Sequence, residues 1–361
     1  MRRRIILFGP LPPPYGGVAT YMQAMLTHFG DSVRVWTYGG AQPKEPSVRF
    51  VAHRRLGTSW ALIEEGRHAR ILDASHFHLE YPNALLLLVW LTLKWWLGFE
   101  WYKNVHDGSL PKRYPTFGVL QRWLFQRAAN AVDEFVVVSE ELRNWLAEEV
   151  KVTRPIKVVP GLLPKKPGVG EGYLSSMTED LLAPYLARPA RVCSIGVFFP
   201  SYGFRDVAEA VEELRRRTGK DIGLVLVDGG FVRDEDYRDE VLSDREWITV
   251  LEEVSQSDIG EILKRSDVFV RGFAHESYGI SRVEALWAGT PVIATRAGET
   301  RGMMLYDFGD VAQLVNQLQS VLLYPGFEKP NPWAARYRLE AEENLQALAS
   351  VLGVELKHAE N

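Results

Sequence analysis

Short apolar runs rich in β-branched residues alternate with longer stretches of helical spacing along nearly the whole chain, and this alternation restricts the fold more than any other feature. A strand buried on both faces reads as a continuous apolar run, and a helix must carry the chain back before the next parallel strand can begin. The pattern therefore calls for parallel sheets covered by helices. In the first half strands are expected at about 3 to 8, 33 to 37, 48 to 52, 75 to 79, 99 to 105, 134 to 139 and 156 to 160. In the second half they are expected at about 191 to 196, 222 to 228, 247 to 251, 267 to 271 and 291 to 295. The Pro/Gly-rich stretch from Pro160 to Gly168 separates the two sets and marks a domain boundary and hinge. The expectation is an α/β chain of two Rossmann-like, doubly wound domains facing a central cleft, over residues 1–165 and 166–331, with a last helix at 332–355 packing back on the first.

Composition narrows the class. With 361 residues, 46% hydrophobic and 24% charged, the chain suits two ordinary soluble domains and excludes disorder as its main theme. A single cysteine, Cys193, excludes an intramolecular disulfide and points to a reducing cytoplasm. The basic start Met1-Arg2-Arg3-Arg4 imitates a signal peptide, but Gly9-Pro10 ends the apolar run after four residues, so Ile5 to Phe8 read as a first buried strand. The stretch from Asn83 to Lys103 is interrupted by Lys94 and Gly98, so it reads as a buried helix to about Leu97 followed by a strand from Phe99 to Val105, the alternative being a membrane-facing helix. Charge is uneven: residues 1–166 carry a net +8 and residues 167–361 a net −12. A basic first half suits an anionic ligand or membrane surface, while the modest total of −4 argues against nucleic-acid binding.

Ligands of open α/β sheets bind beyond the carboxyl ends of strands, so motifs there carry the most weight. One is the strand end Gly9 to Pro14 leading into Gly16-Gly17 and a helix, where paired glycines let backbone amides approach a phosphate or a sugar. The other runs from Phe273 to Thr295: Glu276 on a loop after a strand, Glu284 in the ensuing helix, Gly289 closing that helix and Pro291 opening the next strand. Ionised carboxylates so placed are acceptors for sugar and ribose hydroxyls.

That string resembles the retaining glycosyltransferases of family four, a GT-B fold with two glutamates separated by seven residues before a Gly-x-Pro-Val-Ile-Ala strand. Gly16-Gly17, Val105-His106-Asp107 and the serine-capped helix Val138 to Arg143 resemble the family's other motifs in the same order. The resemblance implies that Glu276 binds the donor sugar, Glu284 the ribose, and His106 the transferred sugar near the reacting bond. It implies that Gly16 and Gly17 offer amides to the diphosphate or the acceptor. It also implies that Gly196, Gly203 and Gly298 belong to the same nucleotide-sugar site. The sequence departs from the family where a Gly-Arg and a Lys-Gly usually supply cations for the leaving diphosphate, because Val197 follows Gly196 and Tyr202 precedes Gly203. Arg205, Arg282 and Arg301 are the expected substitutes, with Arg205 foremost.

Gly9 to Pro14, Tyr202-Gly203-Phe204 and Gly309-Asp310-Val311 resemble a subgroup of surface-polysaccharide assembly, which often extends lipid-diphosphate-linked sugars. Lys112-Arg113-Tyr114 and Arg122 to Arg127 read either as membrane-facing elements or as an amphipathic surface with Trp123 and Phe125 buried. Asp234-Glu235-Asp236 lies in a charged run and reads as a solvated acidic loop, so no catalytic metal and no cofactor beyond the donor substrate are expected. The expected activity is metal-independent transfer of a sugar from a nucleotide diphosphate to a saccharide or lipid-linked acceptor, at the inner face of the cell membrane. The alternatives are a GT-B phosphorylase or epimerase and a degenerate, non-catalytic partner in an assembly complex.

Overall fold

The computed structural model describes residues 3–13, 16–38, 46–51, 56–75, 79, 84–164, 174–230, 233–323 and 332–356. The chain divides into two units, Met1–Pro164 with Ala341–Asn361, and Lys165–Glu340.

The first unit holds strands β1 (Ile5–Phe8), β2 (Arg34–Thr37), β3 (Val48–Phe50), β4 (Arg70–Asp73), β5 (Glu100–Val105), β6 (Glu134–Val137) and β7 (Ile156–Val158). They form one parallel sheet in the order β3-β2-β1-β4-β5-β6-β7. Its helices are α1 (Gly17–Phe29), α2 (Leu56–Glu65), α3 (Ala84–Leu97), α4 (Leu110–Arg113), α5 (Val119–Ala131) and α6 (Glu140–Glu148). Alternation along β1 sorts the two faces. Ile5 and Leu7 join a core with Tyr21, Met25 and Leu26 of α1, while Phe8 meets Trp36 and Trp90 on the other side. Ser139 caps α6 by accepting from the Leu142 amide at 3.3 Å.

The second unit holds β8 (Ala190–Gly196), β9 (Ile222–Asp228), β10 (Ile248–Glu252), β11 (Val268–Arg271), β12 (Val292–Thr295) and β13 (Met304–Tyr306), parallel in the order β10-β9-β8-β11-β12-β13. Its helices are α7 (Ser176–Leu186), α8 (Phe204–Thr218), α9 (Glu235–Leu242), α10 (Gln256–Lys264), α11 (Ile280–Trp287) and α12 (Val311–Leu323). Cys193 is buried in β8, and burial pushes its thiol up to about 12. The last helix, α13 (Trp333–Leu352), starts in the second unit and continues into the first, where Leu345, Leu348 and Leu352 join the core around β1. Arg70 closes its C-terminus by donating to the Leu352 carbonyl at 2.9 Å, a cation at the negative end of the helix dipole.

Four expectations are corrected. The strand expected at 75 to 79 lies at Arg70–Asp73, and residues 76–78 of the expected range lie outside the described residues. Ile71 and Leu72 are completely buried between β1 and β5, as a central parallel strand requires on both faces, whereas the Ser-His-Phe-His alternation imitates a half-solvated strand. The short strand β13 was not expected, because three residues give no periodicity to read. Helix α3 is buried on one side only: Leu87, Trp90 and Leu97 face inward, but Leu88 is 63% and Trp95 85% exposed. A helix lying on a sheet buries one stripe, and apolar residues all round it do not supply a second layer. Finally, Phe125 and Tyr114 are buried while Trp123 is half exposed, so the 122–127 segment matches neither sequence reading completely.

One buried ion pair sits at the carboxyl end of β4. Asp73 lies 3.7 Å from the Lys103 ammonium, both side chains are completely buried, and Asp73 also accepts from the Ser75 amide at 2.9 Å and Trp101 Nε1 at 3.2 Å. Lys103 donates to the Ser75 carbonyl as well. Burial lowers the Lys103 pKa and the Asp73 charge opposes that shift. Removing one partner of such a pair leaves an uncompensated charge in the core, so Asp73→Ala is expected to cost about 3–5 kcal/mol of stability in urea unfolding; a loss below about 1 kcal/mol would show that Asp73 does not hold Lys103.

Candidate functional site

The strand order of the second sheet reverses between β8 and β11, the place where an open parallel sheet exposes a crevice at its carboxyl edge. Gly196 ends β8 and Arg271 ends β11. The Arg271 guanidinium reaches across this point. Its Nε donates to Glu276 Oε2 at 2.8 Å and its Nη1 donates to the Ile195 carbonyl, the penultimate residue of β8. It also lies 5.3 Å from the ring centres of both Tyr202 and Phe273, which stack on each other at 4.3 Å. The Arg271 and Glu276 side chains keep only 12% and 10% of their surface in solvent.

Glycines make this approach feasible. Gly203 has φ +70°, and a Cβ there would come within 2.7 Å of the Gly272 carbonyl, so the turn after Tyr202 can cross the strand end only without a side chain. Gly298, at φ +76°, lies against Glu276, where a Cβ would come within 2.8 Å of its Cγ. Burial pushes the Glu276 carboxyl up, but the charges of Arg271 and Arg282 and hydrogen bonds from Arg271 and the Ser277 amide outweigh it, so its pKa lies below the usual 4.5. Glu276 is thus held as a carboxylate. Glu284, on α11 and 7% exposed, accepts a hydrogen bond from Gln256 of α10.

The three arginines expected to replace the missing cations are differently employed. Arg282 is completely buried; it donates to the Ala297 carbonyl, to the Glu299 carbonyl at 3.0 Å and to Thr295 Oγ1 at 3.0 Å. Burial pulls its pKa down to about 10 against the opposing Glu276 charge. It fixes the loop that carries Gly298. Arg205 is surface-exposed, with Glu240 at 3.3 Å and Glu209, four residues on, at 3.9 Å, and its backbone amide donates to the Tyr237 hydroxyl. Arg301 binds Glu299 and Glu340 and lies over Trp333 and Tyr337. None of these three hydrogen-bonds Glu276 among the contacts described, whereas Arg271 does. The Asp234-Glu235-Asp236 run is corrected from a loop to a helix start: Asp234 caps α9 through the Tyr237 amide at 3.1 Å, and the next two acids occupy its first turn, where the dipole favours them.

In the first unit, Gly16 is the extended N-cap of α1 and its carbonyl accepts from Thr20 at 2.9 Å, while Gly17 opens the helix with free space where a Cβ would stand. His106 directly follows β5 and meets Tyr21 edge-on at 4.8 Å.

Two family models match successive parts of this chain: Glycosyltransferase Family 4 over residues 15–162, and Glycosyl transferases group 1 over residues 186–331. The chain belongs to the group 1 glycosyltransferases, with the GT-B fold. The chain is 26% identical over 242 residues to the 2-deoxystreptamine glucosyltransferase of Streptomyces kanamyceticus, a match covering 64% of this chain and 59% of that relative's length. Its fold matches the Anabaena protein Alr3699/HepE in complex with UDP and glucose, with a TM-score of 0.73 at 15% identity over 98% of this chain and all of that one. It also matches sucrose-phosphate synthase from Thermosynechococcus elongatus, with a TM-score of 0.65 at 16% identity over 97% and 96% of the two chains.

Sequence reasoning missed Arg271. The available signal was a charged residue closing the apolar run Val268-Phe269-Val270, at the carboxyl end of a strand whose two faces are otherwise buried. A lowered carboxylate pKa contributes stability that is present above the unfolded value and is lost as pH falls through the folded one. Glu276→Gln should therefore melt below wild type at neutral pH, and the gap should close as pH falls below 4.5. Melting curves between about pH 7 and pH 3 check this, and a gap that stays constant with pH would contradict it.

Proposed function

We propose that this chain moves a sugar from a nucleoside diphosphate sugar to a saccharide or lipid-diphosphate-linked saccharide, with retention, without a metal or cofactor, in surface-polysaccharide assembly at the inner face of the cell membrane. The observation that carries the reading is the Arg271–Glu276 pair at the switch point of the second sheet, with a second carboxylate, Glu284, on α11, the helix that follows. Glu276, held ionised, accepts hydrogen bonds from the donor sugar, and Glu284 accepts from the ribose hydroxyls. Arg271 takes the place of the absent family cations and, with the amides near Gly196 and Gly298, stabilises the leaving diphosphate. Gly16, Gly17 and His106 serve the acceptor and the transferred sugar. In the reaction the bond from the anomeric carbon to the diphosphate oxygen breaks, and its electron pair leaves with the diphosphate. The acceptor oxygen bonds that carbon on the same face, and its proton passes to the departing phosphate oxygen. Glu276 is a binder in this scheme and forms no bond to the sugar.

The UDP and glucose bound by HepE and the glucosyl transfer named for the Streptomyces relative support a nucleotide-sugar donor. A cation at the strand end also answers the motive for the non-catalytic alternative, which rested on Val197 and Tyr202.

Melting the protein with UDP, GDP and ADP sugars identifies the donor, since a ligand specific to the folded state raises its stability by mass action. Turnover of that donor should persist in excess EDTA. Two variants then separate the roles. Glu284→Ala should weaken nucleotide binding by about 10-fold or more with a smaller effect on kcat, because ribose contacts act in ground and transition states alike. Arg271→Ala should lower kcat by roughly 10²-fold, with Arg271→Lys recovering part of the loss. Nucleotide binding without turnover on any saccharide acceptor would favour the non-catalytic partner, and a near-wild-type kcat for folded Arg271→Ala would remove that residue from the mechanism.

A further inference from the structure

Helix α3 reads Ala-Leu-Leu-Leu-Leu-Val-Trp-Leu-Thr-Leu-Lys-Trp-Trp-Leu, apolar on every side, yet its outer stripe is bare. Leu85, Leu88, Trp95 and Trp96 are each more than 60% exposed. Spacings of three and seven residues place Leu85, Leu88 and Trp95 along one side of the helix. Such a helix is ordinarily covered on both sides. Helix α3 touches both α2 and α5. Right-handed crossovers put these three helices on the same face of the sheet, since each connects strands added in the same direction, so their outer sides turn away from the sheet together. The neighbours extend the apolar surface: Trp60 on α2 is 61% exposed, and Val119 and Leu120 at the start of α5 are 89% and 69% exposed. A contiguous apolar surface of this kind marks a place where something else binds.

The charge around it identifies the occupant. Helices α3, α4 and α5 contain Lys94, Lys112, Arg113, Arg122 and Arg127 and no aspartate or glutamate; Lys94 pairs with Asp133 and Arg113 with Asp107, while the two acids of α2, Glu64 and Glu65, are held by Arg49. Beside the exposed indole of Trp123, with the Arg127 guanidinium 5.4 Å from its ring, lies a surface cavity of about 390 Å³ lined by Gln126, Arg127, Asn130, Thr153 and Arg154. Two arginines and no acid line it, a composition suited to a phosphate group. A second copy of the chain would bring the arginines of α5 against their own kind or against acids of α2 that Arg49 already holds. At 14 residues α3 spans about 21 Å, too short to cross a hydrocarbon core of about 30 Å. Among the described residues no helix is long and apolar enough to cross a membrane. An apolar helix with tryptophans at its rim and arginines alongside suits the interfacial depth of a bilayer, where indoles settle among headgroups.

We infer that the outer face of α3, flanked by α2 and α5, docks on an anionic phospholipid bilayer, with α3 lying in the interface and the Arg127–Arg154 cavity taking a lipid phosphate. This gives the membrane-linked acceptor of the proposed function a physical anchor, but the anchoring itself is independent of any transfer activity.

The test is co-sedimentation of the full chain with sucrose-loaded vesicles of phosphatidylglycerol and phosphatidylcholine, compared with vesicles of phosphatidylcholine alone. Wild type should pellet with the anionic vesicles, less so at high salt, and weakly with the neutral ones. The double variant Trp95→Ala/Trp96→Ala should lose at least about 10-fold in partitioning to the anionic vesicles. Arg127→Gln/Arg154→Gln should lose the preference for anionic over neutral vesicles. All these side chains are partly or wholly exposed, so unchanged melting, and an unchanged melting shift with UDP, GDP or ADP, would show that fold and nucleotide binding are intact. Failure of wild type to pellet with anionic vesicles, or equal pelleting by the tryptophan variant, would overturn the assignment. A wild-type dimer dispersed by the tryptophan changes, with no vesicle binding, would overturn it in favour of a second copy. Inorganic phosphate that binds the cavity while vesicles do not would likewise overturn it.

Discussion

The candidate site depends on one ion pair, Arg271 with Glu276, held 2.8 Å apart and almost out of water at the point where the second sheet reverses its strand order. Taking two charges out of water costs several kcal/mol per ion, and their attraction recovers this only when the geometry is good and further hydrogen bonds satisfy them. Both conditions are met here. Arg271 is also anchored on the Ile195 carbonyl and the Tyr202–Phe273 ring pair, and Glu276 on the Ser277 amide. A buried pair is weak evidence of stability in itself, so its place at the strand ends is better explained by what it presents there: an ionised acceptor for hydroxyls beside a planar cation suited to phosphate.

The surrounding residues serve that pair. Arg282 spends its donors on the Ala297 and Glu299 carbonyls and on Thr295, which fixes the loop that brings Gly298 against Glu276. Gly203 and Gly272 let the turn after Tyr202 cross the end of β11, so the aromatic pair can close over the guanidinium. The sequence departs from the family at Val197 and Tyr202, and the structure supplies a cation to the same neighbourhood from a different strand. Chemistry of this kind needs a charge at a place in space and does not need it at one place in the chain.

Most of the architecture was legible because parallel strands buried on both faces leave continuous apolar runs. The expected strand at 222 to 228 coincides with β9, and most of the others agree within two residues. The failures have physical reasons. At 75 to 79 an alternating pattern imitated a strand, but the central slot beside β1 went to Ile71 and Leu72, which can be buried on both faces. The exposed side of α3 was hard to read because a helix apolar but for Thr92 and Lys94 gives little moment to say which side faces water. Glu276 and Glu284 stood out as a spaced pair on a recognisable string, whereas Arg271 read as the ordinary end of a strand. Only the fold shows that this strand end adjoins β8 and that the guanidinium turns to Glu276.

The central claim is that the donor's diphosphate lies at the joined carboxyl ends of β8 and β11. A crystal structure of the protein with the nucleoside diphosphate it binds tests this most directly. The account predicts a diphosphate oxygen within hydrogen-bonding distance of the Arg271 guanidinium and the ribose hydroxyls on the Glu284 carboxylate. A diphosphate bound at Arg205 or Arg301, or a nucleotide whose ribose lies away from Glu284, would contradict it.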